Sequence, residues 1–147
     1  MGSFLDDNII TQIKEVFTNL VNPVHILVFT SKENCEYCED TRLLLEEVCG
    51  LSDKLHYQPV DIDTDAKLAR EYLIDRTPAV AVLGIVDDKQ TDHGIRFSGI
   101  PAGHEFSALI HSIISVSRQE TGISSQTQAF LDSLKSPVHL EIFTTPT

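Results

Sequence analysis

Cys35 and Cys38, in the run Cys35-Glu36-Tyr37-Cys38, are the residues of this 147-residue chain whose type and spacing could do chemistry. Thiol–disulfide exchange proceeds by attack of a thiolate on a disulfide sulfur. One cysteine must therefore ionise and be reachable, and a second must be near enough to break the mixed disulfide that results. Cys35 follows the polar run Ser31-Lys32-Glu33-Asn34 and is expected in the first turn of a helix. There the helix dipole and free backbone N–H groups stabilise an anion. Residues three apart share a helix face, so Cys38 is within reach of the Cys35 sulfur. The expectation is Cys35 as nucleophile and Cys38 as resolving thiol.

A lone Cys-x-x-Cys is also half of a zinc site, which needs two more Cys or His ligands at compatible spacing. The third cysteine, Cys49, falls about three turns along the same helix, roughly 16 Å away at 1.5 Å per residue. It reads as a small apolar helix-end residue. The six histidines are scattered, with no pair beside the cysteines, so no metal site is expected. Asp61, Asp63 and Asp65 lack the glycine and terminal glutamate of a calcium loop and read as helix caps.

The elements that must hold this pair follow from periodicity. Ser3 and Asp6 resemble a capping box, and Ile9, Ile13, Val16 and Leu20 recur at helical spacing, which predicts a helix ending near Asn22-Pro23. Val24–Thr30 is nearly all apolar or β-branched and reads as a buried central strand leading into the cysteines. The cysteine helix runs to Val48, with Gly50 suited to its stop. Leu55–Asp61 is a second strand, limited by Pro59 to pairing on one side. Asp63-Thr64 can cap a short helix to about Leu73. Ala79–Ile85 is a third strand, Val86–Gly94 a polar hairpin loop, and Ile95–Ser98 a short fourth strand. Phe106, Leu109, Ile110, Ile113 and Ile114 mark one face of a last helix. Helix crossovers imply parallel pairing and a hairpin antiparallel pairing. The fold class is therefore α/β: a four-stranded mixed sheet flanked by helices, thioredoxin-like in topology, with an extra N-terminal helix.

Thr77-Pro78 lies just before the third strand, which in this topology neighbours the cysteine-bearing strand. Its bond is expected to be cis, as cis bonds concentrate at X–Pro in tight turns. The bend would present the Thr77 backbone to a substrate chain. Tyr37, Thr77 and Pro78 are the candidate substrate-binding residues. Farther on, Ser136–Thr144 repeats Asn22–Thr30, sharing its Pro, Val, His, Phe and Thr. The repeat is read as a second copy of the fold that begins near Ser124, with residues 1–122 as the redox unit. Residues 123–147 then hold a linker, a helix and the first strand of a truncated second unit.

These residues resemble the glutaredoxin-like protein disulfide oxidoreductases, which are built from two tandem thioredoxin-fold units. The likeness lies in the strand into Cys35-Glu36-Tyr37-Cys38, in Val60-Asp61, and in Tyr72-Leu73-Ile74-Asp75-Arg76-Thr77-Pro78. The segment Phe97-Ser98-Gly99-Ile100-Pro101-Ala102-Gly103-His104-Glu105-Phe106 carries it further. The resemblance implies dithiol–disulfide oxidoreductase activity, with Pro78 as the cis-proline. It also implies no cofactor beyond the redox-active disulfide Cys35–Cys38. The implied partners are disulfide-containing client proteins and a thioredoxin-reductase-like flavoprotein or other electron donor. Where glutaredoxins carry a Gly-Gly-Asp element for glutathione, Gly99-Ile100-Pro101 stands instead, and glutathione use is left open. A second function class also stays open: a non-catalytic docking module serving a missing second redox unit.

The net charge of −11 argues against nucleic acid, because no basic stripe exists to neutralise phosphates, and disfavours an anionic membrane surface. Met1–Val21 is interrupted by Asp6, Asp7, Lys14 and Glu15 and has no apolar run of a secretory signal. A close cysteine pair in a reducing compartment points to catalysis or metal, and the expected location is cytoplasmic.

Overall fold

In the computed structural model, which describes residues 4–145, four strands form one mixed sheet in the order β2-β1-β3-β4. Strand β1 (Val24–Thr30) is central and pairs parallel with β2 (Leu55–Asp61) and antiparallel with β3 (Ala79–Val86), which pairs antiparallel with β4 (Lys89–Ser98). Side chains alternate across a strand, and both central strands are apolar on each face. Val24, Ile26, Val28, Val80 and Val82 pack under α1 (Asp7–Phe17), α2 (Cys38–Cys49) and α4 (His104–Arg118). Leu27, Phe29, Ala79, Ala81 and Leu83 pack under the short α3 (Ala66–Glu71). Pro59 lies on β2, an edge strand that pairs only with β1, so its missing N–H costs no ladder bond on the open side.

Several boundaries differ from the sequence reading, each for a local reason. Helix α1 stops at Phe17, short of Asn22, and is capped by Asp6, which accepts from the Ile9 N–H at 2.8 Å. Ser3 lies outside the described residues. The buried stripe is Ile13 and Phe17, continued by Leu20 beyond the helix, while Ile9 and Val16 are exposed. Helix α3 is capped by Asp65, which accepts from the Leu68 N–H, and not by Asp63 or Thr64. The largest change is in β4. The polar run read as a loop is strand from Lys89 onward, joined to β3 by a two-residue turn, Asp87-Asp88, with φ of 50° and 58°. Two left-handed residues match the twist of a hairpin. An edge strand with one open side needs no apolar pattern, so its outer half, Lys89–Gly94, is wholly exposed and polar.

After α4, helix α5 (Ser125–Asp132) is capped by Ser124, which accepts from the Thr127 N–H. Every residue of α5 is exposed. Val138–Phe143 is assigned to no strand and is solvent-exposed, Phe143 at 88%. Among the described residues no helix is long and apolar enough to cross a membrane.

Candidate functional site

The site grows from the end of β1. Val24–Phe29 is buried almost throughout, so the strand is a rigid stem, and the chain leaves the sheet at Thr30. Cys35 is in the loop and not in a helical turn: α2 begins at Cys38, with Tyr37 at its N-cap position. The difference comes from Asn34, whose φ of 54° turns the chain before the helix can start. Thr41 then fixes the Tyr37 carbonyl twice, donating from its backbone N–H at 2.9 Å and from its buried hydroxyl at 2.7 Å.

Cys35 and Cys38 are joined as a disulfide, with their Cα atoms 5.5 Å apart. Burial separates the two. Cys38 sits on the apolar face of α2 with Thr41, Leu44, Leu45 and Val48, and is 6% exposed, whereas Cys35 is half-buried. The Cys38 sulfur also accepts from the Ser31 N–H at 3.3 Å. Of the pair, Cys35 is the more accessible residue. Cys49 is buried at the far end of α2, and burial pushes its thiol up to about 12, so at neutral pH it carries almost no thiolate.

The Thr77–Pro78 bond is cis. Phe29 pairs with Ala79 in the β1–β3 register, so Pro78 falls beside Thr30, where the cysteine loop leaves the sheet. Pro78 is buried and its carbonyl accepts from the Gly99 N–H at 2.8 Å, which draws the Gly99-Ile100 segment to the same end. Thr77 is half-buried and its backbone has no hydrogen-bond partner among the described residues. Tyr37 is 49% exposed between the two cysteines. The fold thus brings Cys35, Tyr37, Cys38, Thr77 and Pro78 to one end of the sheet.

Asp63, read from sequence as a helix cap, has another role. Its carboxylate accepts from the Ser31 hydroxyl at 2.8 Å and the Lys32 N–H at 3.1 Å, pinning the cysteine loop to the β2–α3 loop. Those bonds, the Ser31 one foremost, hold its carboxyl below the usual carboxylate range. Parallel pairing of β1 with β2 carries the signal, because it places the loops after both strands side by side. Lys32 is paired with Asp61 at 3.6 Å, and Arg42 is forked between Glu39 and Glu46 at 2.7 Å each. No group of three or more His, Cys, Asp or Glu among the described residues is placed to hold a metal ion.

Comparison with known proteins agrees with this picture. No family model matches the chain. The chain is 30% identical over 114 residues to the F component of alkyl hydroperoxide reductase of Pseudomonas aeruginosa, covering 76% of this chain and 18% of that protein. It spans about a fifth of the length of the curated relatives it matches. Among solved structures, a protein disulfide oxidoreductase from Aeropyrum pernix superposes with a TM-score of 0.76 at 31% identity, over 90% of this chain and 57% of that one. The NTD N/C domain of alkylhydroperoxide reductase AhpF from Enterococcus faecalis gives 0.75 at 25% identity, over 86% and 59%. The thioredoxin-like fold and the resemblance to protein disulfide oxidoreductases are borne out. With the Cys35–Cys38 pair, these relatives support a thiol–disulfide redox function.

Proposed function

We propose that this chain is a thiol–disulfide oxidoreductase that exchanges electrons with protein disulfides through Cys35 and Cys38. The observation that carries the reading is the asymmetry of the pair: an accessible Cys35 and a buried Cys38 at the end of a rigid strand, beside a Thr77 backbone that is unpaired among the described residues. In the reduced pair the Cys35 thiolate attacks one sulfur of a client disulfide. A Cys35–client bond forms, the client S–S bond breaks, and the second client sulfur leaves as a thiolate that takes up a proton. Cys38 then attacks the Cys35 sulfur and releases the first client sulfur. Two electrons pass to the client, and Cys35–Cys38 is left oxidised, to be reduced again by a dithiol donor such as a thioredoxin-reductase-like flavoprotein.

Tyr37 supplies apolar surface against the client chain, and Thr77, next to the buried Pro78, offers backbone groups to pair with it. Ser31, Lys32 and Asp63 keep the loop in place. Residues 123–147 are, on this reading, the start of a second unit of the same fold. The test is reduction of insulin by dithiothreitol. The chain should accelerate it, Cys35→Ser should abolish the acceleration, and Cys38→Ser should accumulate a mixed disulfide visible on a non-reducing gel. A chain with no effect on insulin would be a docking module instead. Normal turnover by Cys38→Ser would overturn the assigned roles.

A further inference from the structure

The segments that surround Cys35 carry carboxylates, and the cations within those same segments are already paired. Glu33 and Glu36 flank Cys35 and are exposed, and Asp40 follows in the first turn of α2. Asp61 and Asp63 stand on the adjacent loop, tied to Ser31 and Lys32. Asp75 lies just ahead of Thr77-Pro78. Each cation of these segments has an acidic partner: Lys32 on Asp61 at 3.6 Å, Arg42 on Glu39 and Glu46 at 2.7 Å, and Arg76 on Asp75 at 3.0 Å. Among the described residues Glu33, Glu36 and Asp40 have no ionic partner. A reacting disulfide must enter this field to reach the Cys35 sulfur.

We infer that the site selects disulfides flanked by lysine or arginine and disfavours anionic ones, the net-anionic disulfide of glutathione included. The inference rests on the exchange reading above and names its substrate class. Uncompensated carboxylates around an accessible sulfur raise the local concentration of a cationic partner, and association steered in this way gains about tenfold or more at low salt. The gain fades as the screening length shrinks from about 30 Å at 0.01 M salt to a few ångströms near 1 M. Glu33, Glu36 and Asp40 act on encounter, leaving the bond-making steps to the cysteines.

The test uses two synthetic peptides that share one intramolecular disulfide and differ only in its flanking residues, lysine in one and glutamate in the other. Single-turnover reduction by the pre-reduced chain is measured at low and high salt. Each rate is divided by that of dithiothreitol, whose attacking thiolate carries the same single charge as a Cys35 thiolate but no surrounding carboxylates, to remove the peptides' own reactivity. The normalised ratio should favour the lysine peptide by about tenfold at low salt and approach unity at high salt. In the triple variant Glu33→Gln, Glu36→Gln, Asp40→Asn, the low-salt ratio should collapse. The same thiolate attacks both peptides, so any change in Cys35 itself cancels. A ratio near one at low salt, a preference that salt does not change, or a variant that keeps the preference would overturn the inference while insulin reduction still stood. Failure to reduce either peptide or insulin would overturn the exchange reading, and the inference with it.

Discussion

Reducing the Cys35–Cys38 bond should weaken the fold only slightly, and the size of that loss should fix the direction in which the pair prefers to run. The disulfide closes a ring between residues three apart. For so short a loop the chain-entropy contribution is about 2 kcal/mol at 25 °C, near the bottom of the usual range. A reduced pair can offset this only through a stabilised thiolate, and the surroundings do not favour one. Lys32 and Arg42 are engaged by Asp61, Glu39 and Glu46, while Glu33 and Glu36 oppose a negative charge at Cys35. The oxidised form should therefore be the more stable by about 2 kcal/mol. Stability and potential are linked through the same cycle. At about 1.4 kcal/mol per 30 mV, the native pair should lie about 40 mV below the same pair in the unfolded chain. Urea unfolding with and without excess dithiothreitol gives the first quantity, and equilibration with glutathione buffers, native and in urea, gives the second. A reduced form as stable as the oxidised one, or a native potential above the unfolded one, would refute the argument and make the pair an oxidant.

Cys49 should be inert in the folded chain. With its thiol pushed up to about 12, about one part in ten thousand is thiolate at pH 8, so a thiol reagent should titrate the half-buried Cys35 of the reduced native protein quickly and Cys49 only on unfolding. Ser117→Ala should cost about 2 kcal/mol by urea unfolding. The buried hydroxyl donates to the Asn22 carbonyl at 2.6 Å and accepts from the Val21 N–H at 2.9 Å, so its loss strands both groups where α4 meets the entry to β1. A loss under about 0.5 kcal/mol would show that water replaces it. Deleting Ser124–Thr147 should leave insulin reduction intact, because every residue removed from the described part is exposed and the four-stranded sheet is complete without them. Unfolding of the shortened chain, seen by circular dichroism, would show that the boundary near Gly122 is misplaced.

What the sequence determined by itself was the chemistry and the order of the buried elements. Val24–Thr30 and Leu55–Asp61 have the bounds read from the sequence, and the cysteine pair and Thr77-Pro78 stand where the β-α-β-α-β-β-α order requires. The signal in Val24–Thr30 is local, because a strand buried on both faces must be apolar along its whole length. Tertiary structure decided the rest. The polar half of β4 is strand only because β3 supplies its hydrogen bonds, a non-local partner that no period in Lys89–Gly94 announces. Cys35 lies ahead of the helix and Cys38 at its start, which sets their unequal exposure, and that placement depends on the turn at Asn34 and the Thr41 bonds to Tyr37. Asp63 is one of three similar aspartates in sequence. It became the anchor of the cysteine loop, and Asp65 the helix cap, because parallel pairing of β1 with β2 sets Ser31 within hydrogen-bonding distance of Asp63. A hydrogen bond is decided within a few tenths of an ångström, and only the packed sheet sets distances between segments about thirty residues apart to that margin.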